Sequence, residues 1–142
     1  MAIKQLTVFV QNKKGSVVSV TEILSANNVN LRALSIAETQ EFGILRLIVN
    51  DPEKGCRVLC EAGFAGMLTD VLVIKIPHVA GSLQSILSRI TEGDVSIEYM
   101  YGLSVAADDA SVVMKTSDLE GACRVLREAG IATMTAKELE AL

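Results

Sequence analysis

Residues 66 or 67 positions apart agree along most of this chain. Gly15-Ser16 returns as Gly81-Ser82, and Val29-Asn30-Leu31 returns as Val95-Ser96-Ile97, both 66 residues on. Cys56-Arg57-Val58-Leu59 returns as Cys123-Arg124-Val125-Leu126, and Glu61-Ala62-Gly63 as Glu128-Ala129-Gly130, both 67 on. Agreement at a steady offset marks a duplicated unit, so the fold must be one that half of this chain can make by itself. The 142 residues divide into a unit at 1–70 and a second at 71–142, with almost no linker.

Within the first unit, Leu6, Val8 and Val10 alternate with Gln5, Thr7 and Phe9, which is strand spacing. Val17, Val20, Ile23 and Leu24 fall at helical spacing, and Asn27-Asn28 stops that helix. A strand over Val29 to Thr39, a bend at Glu41-Phe42-Gly43 and a strand over Ile44 to Val49 follow. Asp51-Pro52-Glu53 is a helix start, with Asp as cap and Pro at the first helical position. Val58, Leu59 and Ala62 are expected to face inward, Gly63 to end the helix and Ala65 to Thr69 to add a short strand. The second unit repeats the order. It has a strand at Val71 to Ile76, a helix with Leu83, Ile86, Leu87 and Ile90 on one face, and a strand at Val95 to Val105. A bend at Ala107-Asp108-Asp109, a strand at Ser111 to Lys115, a helix opened by Ser117-Asp118-Leu119-Glu120 and a closing stretch at Ala132 to Ala136 complete it.

The expected fold is therefore α+β: two ferredoxin-like βαββαβ units in tandem, each an antiparallel sheet with helices on one face. Ile44 to Val49 holds only Arg46 as a polar residue, so the sheet face away from the helices is expected to be covered as well. Hydrophobic residues make up 50% of the chain and aromatics only 4%, more aliphatic surface than a small unit buries alone.

In both units the first strand runs into a polar turn that closes on glycine, and a helix starts at once: Val10 to Ser16, then Ile76 to Ser82. The opening turn of a helix has N–H groups without internal partners and the positive end of the dipole, so it accepts a carboxylate with no charged side chain. Glycine lets a ligand approach bare backbone.

Other chemistries fit poorly. A net charge of −4 is the wrong sign for a nucleic-acid surface, and an RNA-reading sheet of this topology would need aromatics that strand one lacks apart from Phe9. An acylphosphatase-like anion loop would need an arginine after the first strand, and this loop holds Lys13-Lys14. Cys56, Cys60 and Cys123 form no metal-ligand spacing and read as small buried residues, and the single histidine, His78, has no partnered nucleophile. No apolar run reaches the length of a membrane span and the amino-terminus has no leader layout, so a cytoplasmic protein with no membrane attachment is expected. No catalytic residue, metal or cofactor is assigned.

The glycine-closed turn, the Val/Ile-Asn/Ser-Leu/Ile strand start, the Phe42-Gly43-Ile44-Leu45-Arg46 hairpin and the Glu-Ala-Gly helix ending, in order and twice, resemble the ACT domain. The resemblance covers nearly the whole chain. It implies a non-catalytic, allosteric regulatory or sensor protein that holds a free amino acid at the interface between ACT units, near the first strand-to-helix turn. On that pattern the ligand residues are Asn12, Lys14, Gly15 and Ser16, with Asn30 and Leu31 from the facing strand. In the second unit they are His78, Ala80, Gly81 and Ser82, with Ser96 and Ile97. Arg32, Tyr99, Met100 and Tyr101 are the neighbours expected to choose the ligand's side chain. The resemblance also implies a homodimer through sheet or helix faces. The alternative is a partner-docking module that regulates another protein without a ligand of its own. Lys13-Lys14 stands where ACT turns commonly have Arg-Pro, and His78-Val79-Ala80 departs further, so the two sites are not expected to be equivalent.

Overall fold

Strand β1 (Ile3–Gln11) turns Leu6, Val8 and Val10 to one side, and everything in the first unit is built against that row. The computed structural model describes residues 2–106 and 109–141; the bend expected at Ala107-Asp108 lies outside them. Helix α1 (Ser16–Ala26) lays Val20 and Leu24 on the row, and α2 (Pro52–Glu61) adds Leu59. Strand β3 (Phe42–Val49) runs antiparallel to β1 and places Leu47 opposite Leu6 and Leu45 opposite Val8. Strand β2 (Leu31–Glu38) pairs antiparallel with the other edge of β3, and β4 (Ala65–Pro77) flanks β1, giving the order β2-β3-β1-β4. Leu6, Leu24, Leu45, Leu47 and Leu59 are all sealed from solvent, each contributing about 1.5–3 kcal/mol by burial.

Contacts divide the chain into Lys4–Thr69 and Asp70–Leu142 with Met1–Ile3. The sequence reading had two strands, Ala65–Thr69 and Val71–Ile76; the chain makes one strand, β4, with no break between them. Asp70 carries no turn residue beside it, so nothing interrupts the extended backbone there. In the second unit α3 (Ser82–Glu92), β5 (Ile97–Ala106), β6 (Asp109–Thr116) and α4 (Leu119–Glu128) follow, in the strand order β4-β6-β5. Leu72, Ile74 and Ile76 take the places of Leu6, Val8 and Val10, under Ile86, Ile90, Ala122 and Leu126.

The helix ends repeat as closely as the cores. Asn28 and Asp94 both adopt a left-handed backbone, at φ 58° and 61°. The N–H groups after them, Val29 and Val95, return to the carbonyls of Leu24 and Ile90. Gly63 and Gly130 end α2 and α4 by the same Schellman arrangement, with Phe64 and Ile131 as the residues that fold back.

Four expectations need correction. Cys60, read as a small buried residue, is exposed on α2, and Cys56 and Cys123 are only half-buried. Ala62 is exposed at the end of α2, because it is the C-cap. The Ser117 hydroxyl does not cap α4; Asp118 does, accepting from the Gly121 N–H, while the Ser117 hydroxyl accepts from the Ser96 N–H. The closing stretch at Ala132 to Ala136 is not a full strand. It makes one bridge, Thr133 to Ile74, after which Thr135 caps a short helix α5 (Ala136–Glu140) by accepting from the Glu138 N–H. Thr-x-x-Glu is a helix start, and it takes over the backbone before a strand can extend.

The sheet face away from α1–α4 is well buried at several positions: Ile48 in the first unit, and Val73, Val113 and Leu103 in the second. Glu138 of α5 pairs with Lys75 at 2.9 Å, and Lys75 alternates with Ile74 and Ile76, so α5 reaches that second face.

Candidate functional site

The turns after β1 and after β4 have the same backbone. Gly15 sits at φ 89°, ψ −7° and Gly81 at φ 87°, ψ −8°. In the first turn the Lys13 N–H donates to Gln11 O, Ser16 to Lys13 and Ser19 to Gly15. In the second, Val79 donates to Pro77, Ser82 to Val79 and Ser85 to Gly81. A φ near 90° is costly for any residue with a Cβ, which is why both positions are glycine.

These two helix starts differ from the other three. Asp51, Asp118 and Thr135 each cap their helix with a side-chain oxygen. Gly15 and Gly81 make no side-chain cap, and the next free N–H groups belong to Val17 and Val18, and to Leu83 and Gln84.

Each uncapped start opens on a cleft. The first, about 480 Å³, lies between the α1 start and the α2 end and is lined by Lys13, Lys14, Gly15, Ser16, Ser19, Gly63 and Ala65, with Phe9, Phe42 and Phe64 around it. The second, about 710 Å³, lies between the α3 start and the residues after α4; Ala80, Gly81, Ser82, Ser85, Gly130, Ile131 and Ala132 line it with Lys75 and Arg89. Volumes of this order suit a small metabolite. The lining of each cleft includes two cationic residues and no acidic one; of these, Lys75 directs its ammonium to Glu138 on the other face of the sheet.

Of the residues singled out from the sequence, Lys14, Gly15 and Ser16 line the first cleft and Ala80, Gly81 and Ser82 the second. Asn12 is beside its turn, with its side-chain amide donating to Glu38 Oε1 at 3.0 Å. His78 is exposed in the second turn and outside the cleft lining. Asn30 and Leu31 stand at the other end of the sheet within their unit, since Leu31 pairs with Val49 whereas Gln11 pairs with Phe42. The Asn30 N–H donates to Asn50 Oδ1 at 2.8 Å, and its carbonyl accepts from the Asn50 N–H. Ser96 makes the matching pair of bonds with Ser117, and Leu31 and Ile97 pack partly against their cores. Within one unit these strand-start residues and the turn do not meet around one small ligand. Tyr99 and Tyr101 stack on each other, with ring centroids 6.5 Å apart, and line neither cleft.

The sequence reading missed Phe9, Phe42 and Phe64, and Lys75, Arg89 and Ile131. One signal was present: the C′ glycines Gly63 and Gly130 return the chain beside the first turn, and the residue after each is apolar. Among the described residues no group of three or more His, Cys, Asp or Glu is placed to hold a metal, and no helix is long and apolar enough to cross a membrane.

Two ferredoxin-like units in tandem, each with a glycine-led turn opening on a cleft, define a paired-domain protein of the ACT type. The chain belongs to the ACT domain pair family, whose model matches residues 1–142. It is similar to protein BT0572 from Bacteroides thetaiotaomicron, at 41% identity and a TM-score of 0.94, covering 100% of this chain and 98% of that one. It shares its fold with the regulatory subunit of aspartate kinase from Thermus thermophilus in its ligand-free form, at 15% identity, a TM-score of 0.63 and coverage of 89% and 91%. The Thermus flavus counterpart gives 14%, 0.61, 89% and 92%. No curated protein is significantly similar in sequence.

Proposed function

We propose that this protein is a non-catalytic regulatory module that binds a free amino acid in its turn clefts. The observation that carries this reading is the contrast in caps. Three helices supply their own acceptor, and the two that border clefts leave theirs open. An α-amino acid's carboxylate fits the free N–H groups, and main-chain carbonyls and the Asn12 amide oxygen suit its ammonium. The same fold serves as the regulatory subunit of aspartate kinase in Thermus, and regulation of a partner in the cytoplasm is the role assigned here. Asn12, Lys14, Gly15 and Ser16, and Ala80, Gly81 and Ser82, are the proposed contacts, with His78 at the rim. Leu34 and Ile36, 48% and 54% exposed on strand β2, favour pairing of two copies into a homodimer.

A thermal-shift screen of the twenty amino acids tests this. At hundredfold excess over its dissociation constant, a true ligand adds about 2.7 kcal/mol. A flat response to all twenty overturns the ligand and leaves the second reading, a docking module that acts through its exposed apolar strand.

A further inference from the structure

We propose that Cys56 and Cys60 form a two-coordinate site for a soft, thiol-seeking monovalent cation, copper(I). The site is separate from the turn clefts, whose linings include neither cysteine. Both residues lie on α2, four apart, so they share one face of the helix. Cys60 is exposed and Cys56 half-buried. Burial first, and then a hydrogen bond between the two thiols, raises the Cys56 thiol above its ordinary value. The sulfurs converge over Gly66, near the start of β4. A Cβ at Gly66 would lie 3.6 Å from the Cys60 Sγ and 3.8 Å from the Cys56 Sγ, and the Cys60 thiol donates to the Gly66 carbonyl at 3.7 Å. Gly66 has no positive φ, and a Cβ there would meet only ordinary contacts. Neither backbone nor crowding therefore demands glycine. A strand glycine that the fold does not require marks a place where another group comes close.

The duplication separates what the fold needs from what this spot adds. At the offset of 67, Cys123 stands for Cys56, Arg127 for Cys60 and Thr133 for Gly66. The second unit keeps a matching core with the second sulfur replaced by a guanidinium and the glycine filled. Cys123, Arg127 and Thr133 border one cavity of about 220 Å³, so the three positions are a single location and not scattered changes. Spacing decides what the thiol pair holds. Cβ atoms four apart on a regular helix are about 5–6 Å from each other, whereas a disulfide needs about 3.5–4.5 Å. Closing that bond would unwind the last turn of α2, while an ion between the sulfurs spans the longer gap with the helix intact. Among the described residues no third His, Cys, Asp or Glu is grouped with the pair, too few ligands for the four-coordinate sites of zinc or an iron–sulfur cluster. Copper(I) is soft and is satisfied by two thiolates in line. Two S–H protons pass to solvent as two copper–sulfur bonds form, with no change of oxidation state.

The test uses the full chain, reduced and under an inert atmosphere, with copper(I) titrated in competition with a chromophoric chelator. A single tightly bound equivalent per chain is expected, and copper X-ray absorption should show two sulfur neighbours. Cys60→Ser, at an exposed position, should lose that equivalent while circular dichroism and melting hold. Cys123→Ser should keep it. Bound copper should protect Cys56 and Cys60 together from alkylation, read by peptide mass spectrometry, and leave Cys123 as reactive as before. Zinc in the same titration should not be retained. No tight equivalent, an equivalent that survives Cys60→Ser, protection of one of the two cysteines without the other, or retention of zinc in place of copper overturns the inference. A copper ion shared between two chains, seen as half an equivalent with a doubled mass, overturns it as well.

Discussion

Replacing Gly15 or Gly81 by valine tests whether bare backbone at these turns is what a ligand uses. Each glycine has a φ near +90°, and a Cβ built there meets nothing within 4 Å. The cost to the fold is therefore backbone strain without a clash, about 1–2 kcal/mol for an L-residue in this region. For a chain of this length that lowers the melting temperature by roughly 2–8 °C, at about 2–4 °C per kcal/mol. The new isopropyl group occupies the open space in front of the helix start, where a carboxylate would sit. Each variant is thus expected to fold, to melt slightly earlier, and to lose the stabilisation that a saturating amino acid gives through that cleft. Asn28→Val is the control. It places the same β-branched side chain at a left-handed position, φ 58°, at the other end of the first unit's sheet, and should leave binding unchanged. Differential scanning calorimetry with and without ligand reads both effects. Normal binding by both valine variants places the site elsewhere. A loss above about 4 kcal/mol refutes the reading that the glycine side of each turn is empty, since strain alone does not reach it.

The caps and the thiols give further checks. Asp51→Ala and Asp118→Ala each remove a side-chain acceptor from a helix start, at Lys54 N–H and Gly121 N–H, and should each cost about 1 kcal/mol in urea unfolding; no change would mean water replaces the cap. Burial first, then the hydrogen bond and charge of Cys60, raise the Cys56 thiol above its ordinary value. A raised folded-state value favours the neutral thiol, so its contribution to stability holds at low pH and is lost as pH rises through that value. Cys56 should therefore be alkylated more slowly at mildly alkaline pH than a small free thiol. Cys60→Ala should speed it, which peptide mass spectrometry checks; equal rates in both proteins would remove Cys60 as a cause.

The sequence reading located the helix starts and stops because they depend on short-range chemistry. Asp51 with Pro52, the Asn27-Asn28 stop and the glycine-closed turns each act within a few residues of themselves. It misplaced the cap of α4, because Ser117 and Asp118 are both good caps and only the pairing of Ser117 with Ser96 assigns them. It missed α5 although Thr135 and Glu138 carry the signal, because the expected repeat called for a strand there.

Duplication, alternating apolar strands and the two open helix starts were determined by the amino-acid order alone, since each rests on spacing along the chain. Which side chains surround those starts was decided only in three dimensions. Phe9, Phe42 and Phe64 are 22 to 55 residues apart in sequence, and no local pattern brings them together. Phe9 and Phe42 become neighbours because β3 runs antiparallel to β1, and Phe64 reaches the helix side of the sheet because the end of α2 returns the chain beside the turn where α1 begins. Asn30, grouped with that turn by resemblance, is held at the opposite end of its sheet by the same strand pairing.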